Sequence, residues 1–167
     1  MRERREEQSN RPERALVVDL MIGVAAGLAG TAAMSLSQRA EMALSGRKPS
    51  ASPALAVCKL LGFETRTSAQ EQRLAEEMHW VYGTAWGVGH SALSSFPEPV
   101  RSIVYMGAVW SAGALLMDVT GIAPPPTEWK AGSLITDLTH HAVYTAFGAL
   151  VFHALHGATR PKVEGRT

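Results

Sequence analysis

From Ala15 to Ser37 the chain runs ALVVDLMIGVAAGLAGTAAMSLS, with one ionisable side chain, Asp19. A helix of that length measures about 34 Å, close to the roughly 30 Å hydrocarbon core of a bilayer. Three more segments share this character: 78–96 (MHWVYGTAWGVGHSALSSF), 102–123 (SIVYMGAVWSAGALLMDVTGIA) and 133–155. Whole-chain averages hide the pattern, because 19% charged residues and a mean hydropathy of +0.00 would suit a soluble protein. The charges are segregated into MRERREEQSNRPER, the stretch Glu41 to Glu77, and TRPKVEGRT.

A soluble bundle would set Lys and Glu at helical spacing along an outward face. These segments carry Ala, Gly, Ser, Val and Leu around the whole circumference, and a helix satisfies its own backbone polar groups in lipid. The sequence therefore predicts an all-α fold, an integral membrane bundle of four transmembrane helices. Its parts are a polar tail over 1–14, a polar connector over 38–77 and a second tail over 157–167. The basic N-terminus reads as a retained cytoplasmic tail rather than a cleaved signal peptide. A lone Cys58 leaves no internal disulfide and no multi-thiolate metal site.

Local signals punctuate this plan. Gly46 suits a helix stop after Ser45, and Gly62 closes a short apolar helix over Pro53 to Leu61 that is expected to lie along the membrane interface. Ser68 and Glu71 have the spacing of a capping box, and Gly157 suits a C-cap. Gly23, Gly27 and Gly30 in the first span, with Gly83 and Gly87 in the second, give small-xxx-small spacing and read as helix-packing positions. His79-Trp80-Val81-Tyr82 and His141-Ala142-Val143-Tyr144 are alike. They indicate either a duplicated helical hairpin or chance similarity between two Ala/Gly-rich helices.

The set GLAGTAAM, HWVYGTAWGVGH, GIAPPP and HHAVYTAFGALVFH resembles the YagU-like small inner-membrane proteins of bacteria over about Ala15 to His156. Tyr144-Thr145 stands where that pattern has Tyr-Gly. The resemblance implies a bacterial inner-membrane location and four helices, and lends no reaction.

Antiparallel succession brings the end of one span level with the start of the next. One membrane face should then collect Gln38, Glu41, His79, Tyr82, Asp118, Asp137, His140, His141 and Tyr144. The other holds Asp19, His90, His153 and His156. At about 100° per residue Asp137, His141, Tyr144 and Gly148 share a stripe, as do His79, Gly83, Trp86 and His90. Ionisable groups in a bilayer favour burial against partners over contact with lipid.

Several readings of this cluster stay open. His79, Asp118, Asp137 and His141 could hold a divalent metal. The Asp and His residues could pass protons or ions, as a small transporter or sensor. A b-type haem could sit between His79 and His141. The plainest alternative is a hydrogen-bond network pinning helix ends, with Trp80, Trp129, Tyr82 and Tyr144 as interface anchors and no cofactor. Asp19 would complement the first turn of its own helix, and His153 and His156 would lie exposed near the last turn of theirs.

Enzyme activity is not expected: the chain has no phosphate loop, nucleophile elbow or thiol–His pair, and Ser91, Ser94 and Ser95 lack an activating arrangement. Nucleic-acid binding is not expected either, since the basic residues are confined to short segments interleaved with acids. The expected partners are the lipid bilayer, a second copy of the chain or another membrane protein. Nine Lys and Arg fall on the side of the termini and seven on the other, which leans the termini toward the cytoplasm.

Overall fold

A computed structural model of the chain describes residues 2–62, 64–93 and 96–159. Ser94, Ser95 and the tail from residue 160 onward lie outside them. All regular elements among the described residues are helical: α1 Arg2–Ser45, α2 Ser52–Leu61, α3 Ser68–Gly89, α4 Val100–Val119 and α5 Ala131–Thr159. Short 3₁₀ turns follow α3 (His90–Leu93) and precede α5 (Pro126–Glu128).

Two helices are long and apolar enough to cross a membrane, Arg14–Ser45 and Val100–Val119, rather than the four expected. α3 opens on SAQEQRLAEE and α5 carries Asp137, His140 and His141, and these polar turns dilute the apolar content of both. Helix boundaries also differ in places. α1 begins well before Ala15, so Asp19 sits in a helix interior, not a first turn. The N-cap of α3 is Thr67, one residue earlier than expected: its hydroxyl accepts from Gln70 N at 3.2 Å, while Glu71 accepts from the Thr65 hydroxyl at 3.0 Å. Gly157 lies inside α5, which runs on to Thr159. Gly46, Gly62 and Gly121 adopt left-handed φ of 71°, 72° and 63° where their helices end, a conformation costly to any residue with a Cβ.

α1 is the centre of the bundle, packed against α3 on one side and α5 on the other. Glycine allows this closeness. A Cβ at Gly87 would overlap the Gly27 backbone and the Gly23 carbonyl; one at Gly27 would come within 2.8 Å of the Gly83 carbonyl and Thr84 Cα. Gly30 faces Tyr144 of α5, whose ring would lie 2.8 Å from an added Cβ.

α4 is held differently. Tyr82, Trp86, Tyr105 and Tyr144 fill the space in front of it, with Trp86 and Tyr105 edge to face at 6.3 Å and Tyr105 and Tyr144 stacked at 6.2 Å. α2 packs on α3 and α4 through buried Ala54, Ala56 and Cys58, with Lys59, Leu60 and Leu61 outward.

Candidate functional site

At the end of the bundle where α1 finishes and α3 and α5 begin, polar side chains converge. His140 of α5 is buried and shares a 2.9 Å hydrogen bond through Nδ1 with the Ser37 hydroxyl of α1. Glu41, Arg47, Asp137 and His141 are its charged neighbours. Asp137 accepts a hydrogen bond from the Trp110 indole of α4 at 2.8 Å. His141 lies one turn on, its Nδ1 2.9 Å from the Asp137 main-chain oxygen and 3.7 Å from the carboxylate. His79 of α3 is half-buried, with the Thr31 main chain and His141 as neighbours. The Nε2 atoms of His79 and His140 are buried without a hydrogen-bond partner among the described residues. Glu41, beyond the bundle end, is held below the usual carboxylate range by hydrogen bonds from Arg47, the shortest 2.7 Å.

Three of the residues expected here stand elsewhere. Asp118 is exposed in the last turns of α4, about 12 Å along the helix from Trp110. No side-chain hydrogen bond or ion pair joins it to the others among the described residues. Tyr82 donates to the Val109 carbonyl of α4 at 3.0 Å. Tyr144 is a core residue, not an interface anchor: it is buried, donates to the Gly83 carbonyl at 2.6 Å and meets the Tyr105 hydroxyl at 3.0 Å.

Thr31, Trp110 and Tyr105 belong to this polar network and were not singled out from sequence. An indole N–H or phenol in the middle of an apolar span needs an acceptor, and that need was the available signal for Trp110 and Tyr105.

Chemically the cluster can accept and donate protons through three imidazoles and a carboxylate. No group of three or more His, Cys, Asp or Glu among the described residues is arranged to hold a metal ion. A porphyrin between His79 and His141 would have to part the contact one turn away, where the Tyr144 hydroxyl reaches from α5 to the Gly83 carbonyl of α3.

The opposite end carries a smaller polar group. Glu98, in the turn before α4, accepts from the Ser102 hydroxyl at 2.8 Å and lies 3.0 Å from His153 Nε2 and 3.7 Å from Arg101 Nε. His156 lies 3.5 Å from Asp19 and stacks on Phe152, half-buried rather than exposed. Partial burial pushes the Glu98 carboxyl up, but the hydrogen bonds from Ser102 and His153 with the Arg101 charge outweigh it and hold the group below its ordinary 4.5.

A carboxyl lowered in the folded state adds stability above its unfolded value and loses it as pH falls through the folded one. Thermal melts of detergent-solubilised protein should therefore fall less steeply below pH 4.5 for Glu98→Gln than for wild type. Identical acid limbs would show that Glu98 carries no such contribution.

No protein-family model, curated protein or solved structure matches this chain.

Proposed function

We propose that the chain is a multi-pass protein of a bacterial inner membrane, crossed by α1, α3, α4 and α5, whose imidazole cluster takes up and releases protons. The observation that carries the membrane reading is the extent of exposed aliphatic surface on helices whose interior keeps several polar side chains. Met21, Ile103, Val119 and Leu150 are between 65% and 69% exposed, whereas Thr31, His140 and Thr145 are at most 4% exposed. Aliphatic side chains exposed to this extent on several helices mark a surface that faces something other than water, and the buried Thr and His are polar groups that a lipid-facing bundle keeps inside. The two most apolar helices bury only 33% and 17% of their apolar windows, while the core helix of a soluble protein would be mostly covered.

Lipid also explains why the glycines matter. Where solvent is as apolar as Leu, helices associate through close backbone approach and internal polar bonds, the two devices present between α1, α3 and α5. The distribution of Lys and Arg supports cytoplasmic termini, with the His79–His140 cluster toward the outer face. Kinship with the YagU-like proteins rests on the sequence motifs alone. Among the readings of the cluster, proton exchange is favoured by the partnerless Nε2 atoms of His79 and His140, and the metal reading is weakened by the distant Asp118.

Expressed protein should sediment with membranes and stay there through alkaline carbonate washing. Recovery in the supernatant of a detergent-free lysate would sink the proposal. In detergent, ring-proton NMR signals of His79 or His140 should respond to pH between about pH 5 and pH 8, the range in which imidazoles change charge. Signals fixed across that range would remove the proton-exchange reading and leave the membrane reading standing.

A further inference from the structure

The cluster at the start of α3 and α5 leaves His90 unused. It lies at the far end of α3, only 1% exposed, and neither ring nitrogen has a hydrogen-bond partner among the described residues. Its ring meets Tyr105 edge-on at 4.9 Å and Phe152 at 4.5 Å, with the His153 ring 6.4 Å away. The charged groups around it come from the α3–α4 turn and the two facing helices: Glu98, Arg101 and His153. From α1, Asp19 faces His156 at the same end.

Midway between the two ends, the Tyr105 and Tyr144 hydroxyls touch at 3.0 Å in a buried position. Tyr144 donates to the Gly83 carbonyl, so the proton shared between the tyrosines belongs to Tyr105. His141 and His140 lie about 4.5 to 6 Å up the α5 axis from Tyr144, and His79 stands one turn from Gly83.

We propose that these groups form a proton route through the bundle, running from Glu98 and His153 through His90, Tyr105 and Tyr144 to His79 and His140. It rests on the reading that the helices cross a membrane. A proton delivered from His90 bonds to the Tyr105 oxygen while the Tyr105 O–H proton passes to Tyr144. The Tyr144 hydroxyl turns from the Gly83 carbonyl and its proton forms an N–H bond on a partnerless imidazole nitrogen one turn away, Nε2 of His79 or His140. Each N–H or O–H bond broken is matched by one formed, no electrons are transferred, and rotation of the two hydroxyls resets the pair. The net event is movement of H⁺ down its gradient.

The test uses the full chain in phosphatidylcholine–phosphatidylglycerol vesicles with an enclosed pH dye and a valinomycin-set potassium diffusion potential. Wild type should acidify or alkalinise the lumen well above empty vesicles. Tyr105→Phe, Tyr144→Phe and His90→Gln should each cut that flux about tenfold or more, as loss of a positioned proton-transfer group does. Ser111→Ala should match wild type, since that hydroxyl bonds only its own helix at Gly107 on the exposed side of α4.

The phenylalanine variants keep the ring packing, and their circular dichroism and gel-filtration profiles establish that they fold. Wild-type flux in both of them would overturn the route. Protein that inserts but conducts no better than empty vesicles would overturn the route and leave the membrane reading intact. Protein that resists insertion would overturn both.

Discussion

Gly87→Leu is expected to leave no folded bundle. A side chain there would run into the main chain of α1, namely Gly27 Cα and N and the Gly23 carbonyl. Overpacking a core usually costs about 1–3 kcal/mol because neighbouring side chains shift aside. Backbone atoms of a helix have no rotamer to change, so α1 and α3 must separate along their whole contact. The cost then exceeds that range and becomes comparable with the roughly 5–15 kcal/mol stability of a typical domain. Gel filtration in mild detergent should show aggregate, and the helical melt should lose its cooperative transition. Gly107→Ala is the contrast: an added Cβ meets nothing within 4 Å, and a helix interior gains about 0.5–1 kcal/mol when Gly becomes Ala. A wild-type melt for Gly87→Leu would mean that the α1–α3 contact is not as close as described.

Tyr144→Ala is expected to be the next most damaging change. The ring fills the space against Gly30 and stacks on Tyr105, and its hydroxyl serves two partners. Large aromatic-to-Ala changes in packed cores cost about 3–5 kcal/mol. Tyr144→Phe retains the ring and removes only the hydroxyl, leaving the Gly83 carbonyl and the Tyr105 hydroxyl short of a partner. Inside lipid such bonds average about 0.6 kcal/mol and reach about 1.7, so the Phe variant, which gives up two, should lose about 1 kcal/mol and at most about 3. Combined with Tyr105→Phe the loss should be less than additive, because both changes remove the same hydrogen bond. Strict additivity in denaturation of the four proteins would deny that the two hydroxyls interact.

The sequence carried the helical class and the approximate helix positions, because long runs without Lys, Arg and Glu bounded by Gly and Pro leave few other folds. It overstated the number of clearly apolar crossings. The Asp137–His141 stretch of α5 and the His79 imidazole and glycines of α3 lower the mean hydropathy of those two helices. Errors of register came from competition between adjacent candidates. Thr67 and Ser68 both precede a Gln/Glu pair, and either frame satisfies the capping pattern until the backbone chooses.

The candidate site was legible to the extent that helix ends share a level. Grouping by level and by helical stripe put Asp118 beside Asp137 and missed Trp110. Which residues meet depends on how far each helix is rotated about its axis, and nearly uniform small-residue composition leaves that rotation unmarked in the sequence. His156 and Asp19, 137 positions apart in the chain, could be paired only by the structure.

Two kinds of joint hold this bundle, and they differ in stiffness. Where α1 meets α3, backbone lies on backbone and nothing can slide. Where α4 meets its neighbours, rings lie between, and rings tilt at little cost. α4 is the long helix joined to its neighbours chiefly through side chains, and it carries Tyr105. A hydrogen bond of 3.0 Å is lost once its atoms part by about 1 Å more, so a small outward drift of α4 suffices to open the circuit between the two tyrosines.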